Sequence, residues 1–429
     1  MLLTIEKLVY GGDGLARLPA DDHGRGKAVF VPFVLEGEGV EARILEQKPG
    51  FARARAESIV EASSHRVRAA CPYFGECGGC HYQHADYAHQ LEIKAAILRE
   101  NLRRIARLEL AADLVVHSSP EWNYRNRTRL RVRSQPQFVL GYYKVNSHEL
   151  LPVTECPISS PLINQAMTAL LRLGAGIDSE IQEIEFFADS EDRQLLLDVD
   201  CCPGISADAA KRAAETLQQL PGVVGATVRI AGRKHRAPAE QPAIASAGVT
   251  ELAYRTRHAL YRVSAGAFFQ VNRSLIDDLV DVVTEGAAGD VALDLYAGVG
   301  LFSTVLARSF AQVVAVESSP TSHGDLIYNS PTNVRAVRST TEQFLKTAAG
   351  KLRPDLVVAD PPRGGLGETV VRGLTGLGAR RITYVSCDPA TLSRDLVGLL
   401  QAGYRIQQAH LVDLFPQTFH LESVFHLAR

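Results

Sequence analysis

The sequence predicts a multidomain α/β protein with an N-terminal OB-like β-barrel, a central α+β domain and a C-terminal, doubly wound Rossmann-like domain. Short apolar runs separated by glycine turns fill residues 1–62, a cysteine-containing segment follows, and buried strands alternate with helical patterns after residue 255. A chain of 429 residues with 46% hydrophobic content can form two or three packed domains. We therefore place the domains at residues 1–62, 63–254 and 255–429.

Positive and negative charges are nearly balanced. The formal net charge is -2 at pH 7, so a nucleic-acid partner would be bound by a local basic face. Residues 1–13 lack the basic start and apolar core of a secretory signal, and no apolar run is long enough to cross a bilayer. The seven cysteines, an odd number, argue against a disulfide framework. We expect a cytoplasmic monomer that does not bind membranes.

The first 62 residues predict a small β-barrel. Strand-like runs at residues 2–9, 27–33, 40–45 and 52–60 are separated by glycine-rich turns. Small barrels of this kind often bind RNA. A β module used only for packing explains the pattern equally well.

Four cysteines have the spacing of a metal or cluster site. Cys71, Cys77 and Cys80 form a C-x5-C-x2-C run, and Cys156 is the natural fourth ligand. The two glycines between Cys77 and Cys80 let the backbone curl so that the thiolates converge. Four thiolates fit either a [4Fe–4S] cluster or zinc. Zinc sites usually contain two C-x2-C pairs and this chain has one, so we favour the cluster.

Basic residues follow the cysteine run. A helical pattern with apolar residues at three- and four-residue spacing spans residues 87–108. Alternate arginines then follow Trp122 and Tyr124, and in a strand they would share one face. Such a row can bind phosphate oxygens, which indicates RNA contact, although a solvated edge strand is the alternative. The row consists of Arg125, Arg127, Arg129, Arg131 and Arg133.

Residues 160–250 predict a structural region without candidate catalytic or ligand-binding residues. Strands at residues 181–187 and 194–199 pair across a polar turn, and Ser206 begins a helix over residues 207–220. A strand at residues 223–230 precedes a predicted loop at 231–248.

The C-terminal region predicts a nucleotide-type ligand site. A buried strand at residues 291–295 leads into a glycine turn, and a second strand ends at Glu317, whose carboxylate can accept hydrogen bonds from both ribose hydroxyls. The G-x-G-x-x-G spacing of a nicotinamide dinucleotide site is missing, which favours S-adenosylmethionine, a ligand without phosphate. A later strand ends at Asp360, where two prolines fix the backbone.

Cys387 is a candidate nucleophile. An apolar run ends at Ser386, and Asp388-Pro389 then forces a turn, so the thiol lies at a strand end. A thiolate there could attack an electron-poor carbon, although most lone intracellular cysteines are buried core residues. Glu422 is a second candidate, because its apolar flanks imply a buried setting.

Together these residues resemble the S-adenosylmethionine-dependent RNA (uracil-5-)-methyltransferase family, in particular its iron–sulfur members that act on 23S ribosomal RNA. Residues 1–62 resemble a TRAM domain, and residues 255–429 resemble a class I methyltransferase domain. The resemblance covers nearly the whole chain and rests on Cys71/Cys77-Gly-Gly-Cys80/Cys156-Pro, Gln270-Val-Asn272, the Asp294 to Gly300 turn, Asp360-Pro-Pro-Arg363, Ser386-Cys387 with Pro389 and Arg394-Asp395, and His420-x-Glu422.

The resemblance implies a role for each motif. Cys387 would add to C6 of a flipped uracil, C5 would take the methyl group, and Glu422 would remove the C5 proton. Asp388 stands where the family frequently has asparagine, and its carboxylate is expected to oppose thiolate formation. The [4Fe–4S] ligands would be Cys71, Cys77, Cys80 and Cys156, and the S-adenosylmethionine contacts would be Gln270, Tyr296, Gly298, Glu317 and Asp360.

The sequence leaves three alternative functions open. A transfer-RNA uracil-5-methyltransferase is one, although bacterial members of that type generally lack both the cluster and the barrel. A radical methylthiotransferase would need a C-x3-C-x2-C motif, which does not occur in this sequence. The third alternative is a non-catalytic RNA-binding protein.

Overall fold

The computed structural model describes residues 1–19, 26–111, 113–174, 180–231 and 242–429. Within these ranges the strands form four sheets, three of which correspond to the N-terminal, central and C-terminal parts of the chain. No helix in the same ranges is both long and apolar enough to cross a membrane.

The N-terminal module is a six-stranded sheet in the order β1-β5-β6-β4-β3-β2. Its inward-facing side chains, such as Ile5, Val29 and Val31, are almost fully buried. The Glu6 amide donates to the Leu15 carbonyl (2.7 Å), which brings the start of the chain against β3. The strands are β1 (Leu2–Thr4), β2 (Lys7–Leu8), β3 (Asp13–Arg17), β4 (Ala28–Pro32), β5 (Gly39–Gln47) and β6 (Phe51–Glu61).

A helix and a short strand follow the cysteine run. Helix α1 (Tyr87–Asn101) begins where Asp86 accepts a hydrogen bond from the His89 amide, and it ends seven residues earlier than predicted. Residues 102–106 continue as one π-helical turn. Strand β7 (Leu114–His117) comes next.

The central sheet has seven strands in the order β10-β9-β8-β11-β12-β13-β14, with α2 and α3 packed against its core. The Ser206 hydroxyl caps α3 by accepting from the Ala209 amide (3.1 Å), as predicted. These elements are β8 (Arg127–Arg133), β9 (Val139–Tyr143), β10 (Leu150–Pro152), α2 (Pro161–Leu173), β11 (Ile181–Ala188), β12 (Leu195–Cys201), α3 (Ala207–Gln218), β13 (Val223–Ile230) and β14 (Ala243–Gly248).

The loop predicted at residues 231–248 is wrong in its second half. Strand β14 pairs antiparallel with β13, although its Ala, Ser and Gly composition gives little β signal. Gly225 pairs with Gly248, and a Cβ atom at either position would clash with a backbone carbonyl, that of Val249 or Val224. Residues 232–241 lie outside the described ranges.

The C-terminal sheet has eight strands in the order β19-β18-β17-β20-β21-β23-β22-β7. Its first five strands are parallel, as a doubly wound sheet requires, and β23 runs antiparallel to β21. The elements are β15 (Glu251–Arg255), β16 (Leu260–Ser264), α4 (Ile276–Thr284), β17 (Gly289–Leu295), α5 (Ser303–Leu306), β18 (Phe310–Glu317), α6 (Pro320–Asn329), β19 (Val334–Arg338), α7 (Thr341–Ala348), β20 (Leu356–Ala359), α8 (Gly367–Leu377), β21 (Arg381–Ser386), α9 (Pro389–Gln401), β22 (Arg405–Val412) and β23 (Glu422–Ala428).

The predicted boundary between the central and C-terminal domains divides residues that the structure joins. Strand β7 pairs in parallel with β22, so residues 114–117 complete the C-terminal sheet. Buried residues of α1, including Ile97 and Leu98, share one core with α8 and α9. The predicted boundary followed sequence order, whereas these contacts connect segments about 300 residues apart.

Carboxylates of the neighbouring strand bind three members of the arginine row. On β8, Arg129 is paired with Glu183 (2.9 Å) and Glu185 (2.9 Å) of the neighbouring strand β11. Arg131 bonds Glu183 (2.9 Å), and the buried Arg127 lies 3.3 Å from Glu185. These three arginines are therefore already paired with carboxylates of the same sheet, and RNA contact by the row stays a prediction.

Candidate active site

Strand register brings Cys387 beside Glu422. Ser386, the last residue of β21, pairs with Ser423 of the antiparallel strand β23. The next pair outward is therefore Cys387 and Glu422. The Ser423 hydroxyl donates to the Ser386 carbonyl (3.1 Å), which holds the two strand ends together. The half-buried thiol and the buried carboxyl thus lie at the edge where the parallel strands end.

Two buried carboxyl groups beside the thiol have raised pKa values. Burial, reinforced by the nearby carboxylate of Asp294, raises the pKa of Asp360 to about 7. Burial, followed by repulsion from Asp360, raises the pKa of Glu422 well above its usual value. Among the described residues, Oε1 of Glu422 has no hydrogen-bond partner. Glu422 therefore presents a buried oxygen that can bind a proton strongly.

The Cys387 thiol shares this environment. Burial, then the charges of Glu422 and Asp360, raise its pKa to about 12, and the nearby Arg363 guanidinium opposes the shift. Asp388 has a structural role beside the thiol, and its expected opposition to thiolate formation stays a prediction. Its Oδ1 accepts from the Ala390 (3.0 Å) and Thr391 (2.8 Å) amides as the N-cap of α9. A thiol with this pKa is protonated at neutral pH and must lose its proton when it attacks.

Four of the five predicted cofactor residues lie at or just after the carboxyl ends of neighbouring strands, and the fifth, Gln270, lies in the loop before α4. The Gly298 amide donates to Glu317 Oε2 (2.9 Å), and the Ser319 amide donates to Oε1 (2.6 Å), which positions the Glu317 carboxylate beside the glycine turn. Tyr296 begins this turn at φ 62°, a conformation that costs on the order of 1 kcal/mol outside glycine. Gln270 Nε2 lies 3.5 Å from Asp360 Oδ2. This edge of a doubly wound sheet is where ligands bind.

A buried ion pair supports the segment that leads to Glu422. Lys94 of α1 and Asp413 are both fully buried, with 2.5 Å between Nζ and Oδ1. The Tyr87 hydroxyl donates to Asp413 Oδ2 (3.0 Å), and Lys94 also donates to the Phe415 carbonyl (2.9 Å). The sequence gives no sign of this network, because Lys94 is simply one polar position on an amphipathic helix.

Two further residues near the thiol were not singled out. Arg363 was part of a quoted motif, yet its guanidinium faces the site, with Nη2 3.3 Å from His420 Nε2. Tyr10, from the N-terminal module, donates a hydrogen bond to the Cys387 carbonyl. A lone tyrosine next to a glycine turn carries no sequence signal of such a contact.

The four predicted cluster cysteines line one cavity of about 330 Å³. All four are free thiols, and the Gly79 amide donates to Cys77 Sγ (3.4 Å). Arg363 and His420 line the same cavity, so the cysteine site adjoins the surroundings of Cys387. The structure therefore brings together all four residues of the predicted ligand set.

Comparisons with known proteins agree with this geometry. A family model described as tRNA (Uracil-5-)-methyltransferase matches residues 86–429, and a TRAM domain model matches residues 1–56. The chain is 34% identical to the 23S rRNA (uracil(1939)-C(5))-methyltransferase RlmD of Pseudomonas fluorescens, over 98% of this chain and 92% of that protein. It is 33% identical to an uncharacterized RNA methyltransferase of Aquifex aeolicus, over 98% and 97% of the two chains.

A solved structure shares the fold along the whole chain. It is that of the Pyrococcus abyssi tRNA (uracil-54, C5)-methyltransferase in complex with S-adenosyl-L-homocysteine. The TM-score is 0.75, the sequence identity is 23%, and 99% of each chain is covered. At this identity the likeness concerns the fold alone.

Proposed function

The chain belongs to the tRNA (uracil-5-)-methyltransferase family, and from this premise we propose that it methylates C5 of a uridine in 23S ribosomal RNA. The enzyme is an S-adenosylmethionine-dependent RNA (uracil-5-)-methyltransferase. The observation that carries the proposal is that Cys387 and Glu422 directly adjoin the paired residues Ser386 and Ser423 at the strand edge. Full-length similarity to RlmD supports ribosomal RNA as the substrate.

The proposed reaction begins at the sulfur of Cys387. The Cys387 thiol gives its proton to solvent, the sulfur forms a bond to C6 of the uracil, and the electron pair of the C5–C6 double bond makes C5 nucleophilic. S-adenosylmethionine supplies the methyl group that C5 takes. Glu422 then accepts the C5 proton, the double bond reforms, and the C6–sulfur bond breaks to release the thiolate. Each bond formed by the enzyme is thus broken before product leaves.

The environment of Glu422 suits the proton-transfer step. A carboxylate is a better base when its pKa is raised, and burial beside Asp360 raises the pKa of Glu422. Its unpartnered Oε1 is available to a proton on the bound base. The positive charge of Arg363 opposes the rise in the pKa of Cys387 and so favours the attacking thiolate.

The residues at the strand edge would hold the cofactor. Glu317 would accept hydrogen bonds from the ribose hydroxyls, and Gly298 at φ 55° lets the backbone approach closely. Gln270, Tyr296 and Asp360 would contact the remainder of the molecule. The positive φ of Tyr296 gives its side chain a direction that differs from that of a residue in a regular strand.

We further propose that Cys71, Cys77, Cys80 and Cys156 hold a [4Fe–4S] cluster. Zinc bound by four thiolates at about 2.3 Å requires sulfurs roughly 3.8 Å apart. Within the part of the chain that the structure describes, no three of these sulfurs lie within 4.8 Å of one another. A sulfur spacing wider than zinc requires supports a cluster. With all four irons bound by cysteine, the cluster would anchor the protein segments and leave no iron open to a ligand. Iron and acid-labile sulfide should be measured in the purified protein. A cluster predicts equal amounts of the two, and both should be lost in Cys77→Ser.

The N-terminal TRAM domain would bind RNA beside the active site. Its residue Tyr10 reaches the Cys387 backbone, so RNA bound to this module would lie close to the reacting base. Flipping a uridine out of its stack costs a few kcal/mol, and phosphate contacts made by the module would offset that cost.

Methylation of defined RNAs tests the proposal. Purified protein, labelled cofactor and unmodified 23S ribosomal RNA should give 5-methyluridine at C5, and Cys387→Ala should give none. The same assay with unmodified transfer RNA tests the alternative named by the family model and by the Pyrococcus abyssi structure. Labelling of transfer RNA alone would contradict the ribosomal assignment, and no labelling of either RNA would favour a non-catalytic RNA-binding protein.

A further inference from the structure

A second group of potential ligands lies away from the proposed active site. It consists of Glu285, just after α4, His410 on β22 and His426 on β23. One ligand atom from each of the three residues lies within 4.8 Å of the other two. The His410 and His426 rings meet edge to face, with centroids 5.5 Å apart. Three chain segments therefore direct metal-binding atoms toward one point.

Both histidines are already oriented through their other ring nitrogen. His410 Nδ1 lies 3.0 Å from His117 Nε2, and His426 Nδ1 lies 3.2 Å from the Thr383 hydroxyl. This arrangement leaves Nε2 of both rings buried without a hydrogen-bond partner. His410 is 6% exposed, so water does not readily take the place of that partner. A ligating histidine bound by a neighbour at its second nitrogen is the usual arrangement in metal sites.

The convergence favours a shared cation when Nε2 of both histidines is unprotonated. If each Nδ1 carries the proton and donates it, both Nε2 atoms present lone pairs to each other and to the Glu285 carboxylate. Buried acceptors that face one another need a shared cation or donor. The competing arrangement places a proton on Nε2 of His426, directed at the nearby Val282 carbonyl.

We propose that Glu285, His410 and His426 bind one Zn²⁺ ion. Two imidazoles and one carboxylate are a ligand set that zinc accepts, with a fourth position open to water. Bonds of about 2.0–2.2 Å require ligand atoms roughly 3.4 Å apart, and rotation of the exposed Glu285 side chain would close the remaining gap. The fourth position faces a groove lined by Asp113, His117, Asp281 and Gln407.

The ion would connect the end of α4 to the last two strands of the sheet. His426 lies four residues beyond Glu422 on the same strand, which places it about 13 Å away. At that distance the ion would not take part in the methyl-transfer chemistry. It would instead stabilise the antiparallel edge that carries Glu422.

Zinc content measured by plasma mass spectrometry tests the site. The four cysteines can also bind zinc, so the decisive quantity is the difference between the wild-type protein and Glu285→Gln, which leaves the cysteines intact. We expect wild type to hold one more zinc per chain than Glu285→Gln, and His426→Gln to match that variant. Added Zn²⁺ should raise the melting temperature of wild type more than that of Glu285→Gln. Because Glu285 is exposed, its variant should fold.

Cobalt substitution and a matched control complete the test. Co²⁺ at this site should give weak visible bands without thiolate charge transfer, and these should vanish in Glu285→Gln. His65, His89 and Glu92 form the other such group among the described residues, but His89 Nδ1 already bonds Glu92 (2.9 Å). His89→Gln should therefore keep the wild-type zinc content. Equal zinc in wild type and Glu285→Gln, or zinc lost in His89→Gln alone, would overturn the proposal.

Discussion

The phenolic hydroxyl of Tyr10 donates a hydrogen bond to the backbone carbonyl of Cys387, with 3.1 Å between the oxygens. The Tyr10 ring also packs edge to face on Phe419, with centroids 5.3 Å apart. Burial, followed by the carboxylates around Cys387, raises the pKa of the Tyr10 phenol, so it stays a proton donor. The N-terminal module thus contributes directly to the position of the proposed nucleophile.

Tyr10→Phe should slow methylation while leaving RNA binding intact. The substitution keeps the ring contact with Phe419 and removes one hydrogen bond, worth about 1 kcal/mol, so kcat should fall roughly fivefold. Single-turnover rates and RNA affinity should be measured together. Tyr143→Phe is the control, because that tyrosine is an exposed residue of the central sheet. A change in RNA affinity with an unchanged rate would contradict a positioning role for Tyr10.

Glu422→Gln should trap the enzyme on its RNA. The amide cannot accept the C5 proton, so the sulfur–C6 bond would form, the methyl group would transfer, and elimination would stop. Denaturing gels should show a protein–RNA adduct that accumulates, with product formation reduced by about 10²-fold or more. The control is Glu368→Gln, whose side chain is 89% exposed. Rapid product release by Glu422→Gln would show that another group removes the proton.

Asp294→Asn should change how stability depends on pH. Burial raises the pKa of Asp294 to about 7 from 3.8, so the folded protein holds this proton at pH values where the unfolded chain has lost it. The contribution is fully present below about pH 3.8 and is lost as the pH rises toward 7, by up to about 1.4 kcal/mol per pH unit. Urea unfolding at pH 5 and pH 7 should show a smaller decrease in Asp294→Asn. The exposed Asp290→Asn should behave as wild type.

Lys94→Met should destabilise the protein strongly. It leaves the buried Asp413 carboxylate without its cation, which costs about 3–5 kcal/mol. The segment after Asp413 leads to Glu422, so residual methylation should also fall. Chemical denaturation measures the first effect, with the exposed Lys351→Met as the control. Stability within about 0.5 kcal/mol of wild type would show that the pair does not anchor this segment.

Local patterns predicted what lies close together in sequence. The C-x5-C-x2-C run, the strand ends at Asp360 and Cys387, and the Ser206 cap are all contained in short segments, and the structure has them as expected. Family resemblance, rather than periodicity, assigned Glu422 its role.

Contacts between distant segments could not be predicted in this way. Period-two arginines indicated one face of β8, but Glu183 and Glu185 alternate in the same manner on β11, and only the pairing of the two strands brings them to three of the five arginines. The bond from Tyr10 to Cys387 joins residues 377 positions apart. None of these residues has a distinctive local sequence pattern, and their contacts arise only when the chain folds.

The origin of strand β7 has a consequence for synthesis of the chain. Its partner β22 lies nearly 300 residues later, which at about 5–20 residues per second delays pairing by roughly 15–60 s. Until β22 is made, the backbone of β7 and the side chain of Leu114, which is buried in the folded chain, have no partner and can bind chaperones. Expressed alone, residues 255–429 would leave the edge of β22 unpaired and prone to aggregation.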